Sequence, residues 1–162
     1  LASSDAGNWK MDIRETDMDS LLIETWEQFS ESARRKNIRL NLDIEDHYPK
    51  IQCDKERISQ VLGILLDNAI SYSSPGQAIE MGAKVLPQKL AFFVIDHGPG
   101  IADAEKEKVF ERFYSGDPSR TDKSHFGLGL SIAQEIVRLH RGVVCLKDTK
   151  DGGCTFEIVI PI

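Results

Sequence analysis

Six consecutive apolar residues, Leu90-Ala91-Phe92-Phe93-Val94-Ile95, stand in a chain whose other apolar positions alternate or recur with helical spacing. In a strand, neighbouring side chains point to opposite faces, so a run apolar at every position needs cover on both sides. Lys89 to Ile95 is therefore expected to be a central strand. Six residues also fall far short of the about 20 that a helix needs to span a bilayer.

The flanking pattern supplies what covers that strand. Lys10 to Arg14 alternates like a short strand. Asp17 or Asp19 can then cap a helix whose Leu22, Trp26, Phe29 and Ala33 follow the 3.6 period, ending near Asn37. Ile38, Leu40, Leu42 and Ile44 alternate with Arg39, Asn41, Asp43 and Glu45, which predicts a strand with one buried face. After Pro49 comes a short strand at Ile51 to Cys53. Asp54 can cap a long helix striped by Ile58, Val61, Leu62, Leu65 and Ala69 and stopped by Ser73-Ser74-Pro75-Gly76. Strands at Ala78 to Val85 and Lys89 to Ile95 are joined at Leu86-Pro87-Gln88. A helix from Leu128 to His140 precedes a hairpin, Gly142 to Leu146 and Thr155 to Ile160, turning at Asp151-Gly152-Gly153. Between them, His97 to Phe126 shows no strand pattern and one short helical segment, Ala102 to Phe110. Thirty residues of that kind read as a lid or binding loop. The fold class is α+β: a two-layer sandwich, its mixed sheet mostly antiparallel and covered on one face by three helices.

Composition narrows the partners. Twenty-six acids against 20 Lys and Arg give a net charge of −6, and the longest basic run is Arg34-Arg35-Lys36, so nucleic acid is not an expected ligand. The start has neither a charged n-region nor an apolar h-region, and the expectation is a soluble domain that is neither membrane-inserted nor secreted. Leu1 to Trp9 reads as a tail or linker remnant, and residues 10–162 as one domain. Cys53, Cys145 and Cys154 are odd in number and form no C-x-x-C pair, which suits reduced core thiols.

Three segments carry chemistry. Asp96-His97-Gly98-Pro99-Gly100-Ile101 lies where the central strand meets the long loop; an ionised Asp in an apolar pocket accepts from the amine of adenine and repels the carbonyl of guanine. An ordinary Asp-Gly turn is the equally weighted alternative. A dinucleotide fingerprint is disfavoured, because Asp103 stands where the third glycine belongs. Gly127-Leu128-Gly129 opens a helix, a place where unpaired N–H groups meet phosphate oxygens or where the chain simply turns tightly. Asn68, Ser71 and Tyr72 share one helix face: an amide oxygen suited to Mg²⁺ and an aromatic that either stacks on a base or merely half-buries a helix end.

Taken together and in this order, the segments resemble the C-terminal catalytic, ATP-binding domain of sensor histidine kinases, in the superfamily that includes topoisomerase, mismatch-repair and chaperone ATPases. Leu65-Leu66-Asp67-Asn68-Ala69 is similar to the N box, Asp96 to Ile101 to the G1 box, Phe110-Glu111-Arg112-Phe113-Tyr114 to the F box, and Gly127 to Ile132 to the G2 box. The resemblance runs from about Trp9 to Ile162. It implies ATP and Mg²⁺ as cofactors, with Asn68 the metal ligand. Nucleotide contacts would come from Asn68, Tyr72, Asp96, Gly98, Gly100, Ile101, Gly127, Leu128 and Gly129, with Lys123 near the outer phosphates. Phe110 and Phe113 would pack the ATP lid onto the body. It further implies a phosphoacceptor domain of the same kinase as partner, a response regulator indirectly, and a cytoplasmic location beneath a membrane-anchored parent.

The departures are as informative. Ile64 stands where a second Asn is usual, Ser71 where a Lys is common, and Ser115 where a basic residue often follows the F-box Tyr; His125 and Phe126 replace small residues. Hydrolytic relatives carry a Glu at the position of Ile64, and an Ile cannot take a proton, so a stand-alone ATPase is not expected. His47, His97, His125 and His140 lack the His-Glu context of a phosphoacceptor helix. Two readings follow: a phosphoryl donor to a histidine on another domain, or a degenerate nucleotide-binding interaction module.

Overall fold

The computed structural model describes residues 10–111 and 128–162. The expected tail, together with Phe113, Ser115, Lys123, His125, Phe126 and Gly127, lies outside the described residues. The elements in chain order are β1 (Arg14–Thr16), α1 (Met18–Arg35), β2 (Arg39–Asp43), β3 (Ile51–Cys53), α2 (Lys55–Tyr72), β4 (Ala78–Leu86), β5 (Lys89–Ile95), two single 3₁₀ turns, α3 (Leu128–Leu139), β6 (Val143–Asp148) and β7 (Cys154–Pro161). A five-stranded sheet has the order β2-β4-β5-β7-β6; β2 runs parallel to β4 and every other pairing is antiparallel. The α+β sandwich is as expected, with β5 in the middle.

The registers explain the core. Leu42, Met81, Val94, Phe156 and Leu146 form one row across all five strands on the face that meets the helices. Met81, Val94 and Phe156 in that row are fully buried, against a helical layer that includes Leu22, Ile58, Leu62, Leu65, Ile136 and Val137. On the opposite face Phe93 is also buried, because its ring lies over Gly82, where a Cβ would meet it at 2.9 Å, and Lys84 Nζ covers it 5.8 Å from the ring centroid.

Local chemistry sets the helix ends. Asp54 caps α2 by accepting from Arg57 N at 3.2 Å. Helix α1 ends with Asn37 in the left-handed region (φ 61°) and Ile38 N bonded to Ala33 O, the six-to-one bond of a Schellman cap. Helix α3 ends the same way, with Arg141 at φ 61° and Gly142 N on Val137 O.

Two expectations need correction. The first strand is Arg14–Thr16 rather than Lys10 to Arg14: its antiparallel partner β3 is three residues long, and Asp12 N turns away to Asp54 Oδ2 at 3.0 Å. The segment Ala102 to Phe110 is not one helix but two 3₁₀ turns, Asp103–Glu105 and Lys108–Phe110. Between extended backbone at Ala102 and Glu111, the amides of Glu105, Lys106 and Glu111 take i→i+3 carbonyls, the 3₁₀ pattern. Among the described residues no helix is long and apolar enough to cross a membrane.

Candidate functional site

The central strand delivers Asp96 into the interior at its C-terminal end. The residue is 5% exposed. Its Oδ1 accepts from Gly98 N at 3.0 Å and from Cys154 N at 3.1 Å. Burial pushes the carboxyl pKa above the ordinary range, and the two N–H donors and His97 offset part of that rise. Among the described residues nothing donates to Oδ2. A carboxylate with one oxygen saturated by the backbone and the other left open is an acceptor poised for a ligand's donor.

Of the other residues named from the sequence, Gly98 and Tyr72 meet it, and others lie along α2 and at the start of α3. A Cβ at Gly98 would lie 2.6 Å from the Tyr72 carbonyl oxygen, so the chain after β5 rests directly on the last turn of α2. That contact brings Tyr72, Gly98 and Asp96 together. One turn earlier on α2, Asn68 is half-buried, and its amide has no partner among the described residues. Gly129, in the first turn of α3, faces Ile64: a Cβ there would sit 3.2 Å from Ile64 Cγ2. The start of α3 thus abuts α2 one turn before Asn68, with an apolar branched side chain where a carboxylate or amide would be reactive. Gly100 takes φ +81° beside Gly153, and Ile101 packs partly buried against the core. Leu128 is the first residue of α3. Lys123 and Gly127 lie outside the described residues. Phe110 meets Phe156 edge to face, ring centroids 6.2 Å apart, which pins the beginning of the long loop to β7.

The residues that sequence reasoning missed sit on the β6–β7 hairpin. Thr149 Oγ1 donates to the Asp96 carbonyl at 2.9 Å, and Gly153, at φ +108°, comes so close that a Cβ would stand 2.1 Å from that oxygen. Cys154 completes the wall with its N–H on Asp96 Oδ1. The doubled glycine at 152–153 was the available signal, legible only as a turn. The Cys154 thiol is pushed up to about 12 by burial and the Asp96 charge, so it is a packing group.

Two histidines have structural partners. His97 Nε2 meets Glu80 Oε1 at 2.8 Å, and its carbonyl accepts from Gln77 Nε2 at 2.9 Å, tying the loop to β4. His140 is buried, its Nε2 receiving Asp54 N–H at 3.0 Å and its Nδ1 facing Ile136 O at 2.9 Å. Both ring nitrogens are engaged, which suits a clamp between α3 and α2 rather than a phosphoacceptor.

The donor set fits Mg²⁺ held together with phosphate. Asn68 offers one hard oxygen, and no group of three or more His, Cys, Asp or Glu capable of caging a metal exists among the described residues. An ion here would complete its shell with ligand phosphates and water. An open groove of about 700 Å³ between α1 and α2 is lined by Phe29, Gly63, Ile64 and Asp67 among others.

Comparison with known proteins bears on the family and the fold. Residues 53–162 match the family described as "Histidine kinase-, DNA gyrase B-, and HSP90-like ATPase". Over 150 residues the chain is 33% identical to the adaptive-response sensory kinase SasA of Nostoc sp., covering 92% of this chain and 37% of that protein. It is 40% identical over 113 residues to the sensor protein CiaH of Streptococcus pneumoniae, 69% of this chain and 26% of the relative. The catalytic domain of histidine kinase ThkA superposes with a TM-score of 0.83 at 28% identity, covering 93% of this chain and 96% of that one. The chain spans well under half the length of these curated relatives.

Proposed function

This chain belongs to the histidine kinase-, DNA gyrase B- and HSP90-like ATPase family, and we propose that it binds Mg-ATP and donates the γ-phosphate to a histidine on a separate phosphoacceptor domain of the same kinase, the catalytic step of two-component signalling. The observation that carries the reading is the open oxygen of Asp96, buried at the end of the central strand and walled by Gly98 and Cys154. An acceptor-only group there takes the adenine amine and rejects a guanine carbonyl.

The remaining roles follow the family resemblance. Tyr72 and Gly98 would flank the base, and Gly100 and Ile101 would form its platform. Gly129 in the first turn of α3 would meet the phosphates at the positive end of the helix dipole, and the resemblance assigns Gly127, Leu128 and Lys123 to the same group. Asn68 would hold the magnesium ion, which when bound neutralises phosphate charge. The acceptor imidazole would attack in line, so the chain's contribution is orientation and charge placement rather than a base. Ile64 beside Gly129 puts a hydrocarbon where water would need activating, which supports donation to histidine over hydrolysis.

The alternative, a degenerate adenine-nucleotide-binding interaction module, is motivated by Ile64, Ser71 and Ser115. One experiment separates them: the purified chain is mixed with a separately made acceptor domain and ATP labelled at the γ-phosphate. Acid-labile phosphohistidine on the acceptor, with little free phosphate from the chain alone, is the expected result. Nucleotide binding without transfer overturns the kinase reading and leaves the module.

A further inference from the structure

The start of the long loop is fastened by a side chain that no motif contains. Lys106 follows the first 3₁₀ turn, and its side chain is only 17% exposed. Its Nζ donates to the Ile101 carbonyl at 3.1 Å, pairs with Asp103, and reaches Asp148 Oδ1 at 2.9 Å. Asp103 is local, three residues back. Asp148 is not: it is the last residue of β6 and is paired in register with Cys154, whose N–H holds Asp96 Oδ1. One ammonium therefore joins the carbonyl of the residue after Gly100 to the hairpin that walls the carboxylate.

We propose that Lys106 is a positioning residue for adenine recognition: by holding Ile101 against Asp148 it fixes the backbone from Gly98 to Ile101 as a preformed platform for the base. The inference rests on the nucleotide-binding reading above. The other ties of the segment, Gly98 N–H on Asp96 Oδ1, the Gln77 bond to the His97 carbonyl and the packing of Gly98 on Tyr72 and of Ile101 on the core, leave the Ile101 carbonyl to Lys106. Gly98 and Gly100 are conformationally free, Pro99 donates no hydrogen bond, and the second glycine holds φ +81° against Gly153. A bound base gains from a surface ordered beforehand, because otherwise the free energy of ordering the loop is subtracted from binding. A lysine serves because its three donors diverge towards three acceptors, whereas an apolar side chain of similar length would satisfy none of them. Both carboxylates hold the amine protonated, raising its pKa, so the link persists across physiological pH.

The role acts through Ile101 and not on phosphate, which makes it separable. The chain is titrated calorimetrically with adenosine and with ADP, in parallel with Lys106→Met, Lys106→Arg and Asp148→Asn, and each variant is melted without ligand. Lys106→Met is expected to weaken adenosine and ADP by the same factor of about ten, the factor that corresponds to about 1.4 kcal/mol and to re-ordering about one backbone residue. Its Tm should stay within about 3 °C of wild type, since the ion pairs are solvent-facing at Asp103 and Asp148. Lys106→Arg should remain within about threefold of wild type, and Asp148→Asn should fall between. A loss seen with ADP but not adenosine would assign Lys106 to the phosphates and overturn the proposal. Unchanged affinities would overturn it as well, and a large Tm loss shared by the Arg variant would reduce Lys106 to a structural strut. Failure of the unmodified chain to bind either ligand would remove the nucleotide reading and this inference with it.

Discussion

Replacing Asp96 with Asn should stabilise the ligand-free domain while removing adenine recognition. The two backbone donors, Gly98 N at 3.0 Å and Cys154 N at 3.1 Å, both point at Oδ1. An Asn must present its carbonyl oxygen to them, because its NH₂ would face two N–H groups, so the amide nitrogen lands where Oδ2 now stands. That position becomes a donor. Against the adenine amine it exchanges a charge-assisted bond, worth about 1.5–3 kcal/mol, for a donor facing a donor, which predicts at least a roughly 10- to 100-fold loss of ADP affinity. GDP, whose carbonyl accepts, should lose nothing and should gain relative to ADP. Stability moves the other way. Burial raises the Asp96 pKa, so ionisation above that value costs folding free energy, and the cost disappears as pH falls toward the unfolded carboxyl near 3.8. Each pKa unit of elevation corresponds to about 1.4 kcal/mol, and 1 kcal/mol moves Tm by about 2–4 °C in a domain of this size. The Asp96→Asn variant would carry no such penalty, so its Tm should exceed wild type at pH 7 and converge with it near pH 4. Calorimetric titration with ADP and GDP, and melts at both pH values, provide the measurements. A variant that binds ADP within threefold of wild type, or melts lower than wild type at pH 7, would refute the reasoning.

His140→Ala leaves the Asp54 amide buried without its acceptor and unties α3 from the start of α2; a loss of about 2–3 kcal/mol is expected in urea denaturation, partly recovered by Gln. Gly153→Ala must accommodate a Cβ 2.1 Å from the Asp96 carbonyl at φ +108°, so it should cost about 2–3 kcal/mol and also weaken ADP binding by displacing Asp96. Cys154, its thiol at about 12, should resist iodoacetamide at pH 8 in the folded chain and label rapidly in urea, which peptide mass spectrometry reads directly.

Much of this protein is written in patterns that act over a few residues. The apolar run at Leu90 to Ile95 has a single place to go in a sheet, the middle. Asp54 caps α2 and Asn37 ends α1 because a side-chain acceptor and a left-handed backbone are local properties. That Asp96 closes the central strand, Tyr72 ends α2 and Gly129 lies in the first turn of α3 was legible because each is a strand or helix end that its own neighbours define. The hairpin's part in the site was not. Thr149, Gly153 and Cys154 reach Asp96 only because β7 pairs with β5, an antiparallel registration that sets Ile95 opposite Thr155 and that no periodicity announces. Phe93 is buried on the open face by a glycine eleven positions earlier on the neighbouring strand, and Lys106 finds Asp148 across 42 residues. Side-chain period and capping depend on the backbone of one segment, so the sequence determines them alone. Which carbonyl or carboxylate stands within about 3 Å of a given ammonium or amide depends on how separate segments stack, and that is settled only when the whole core has packed.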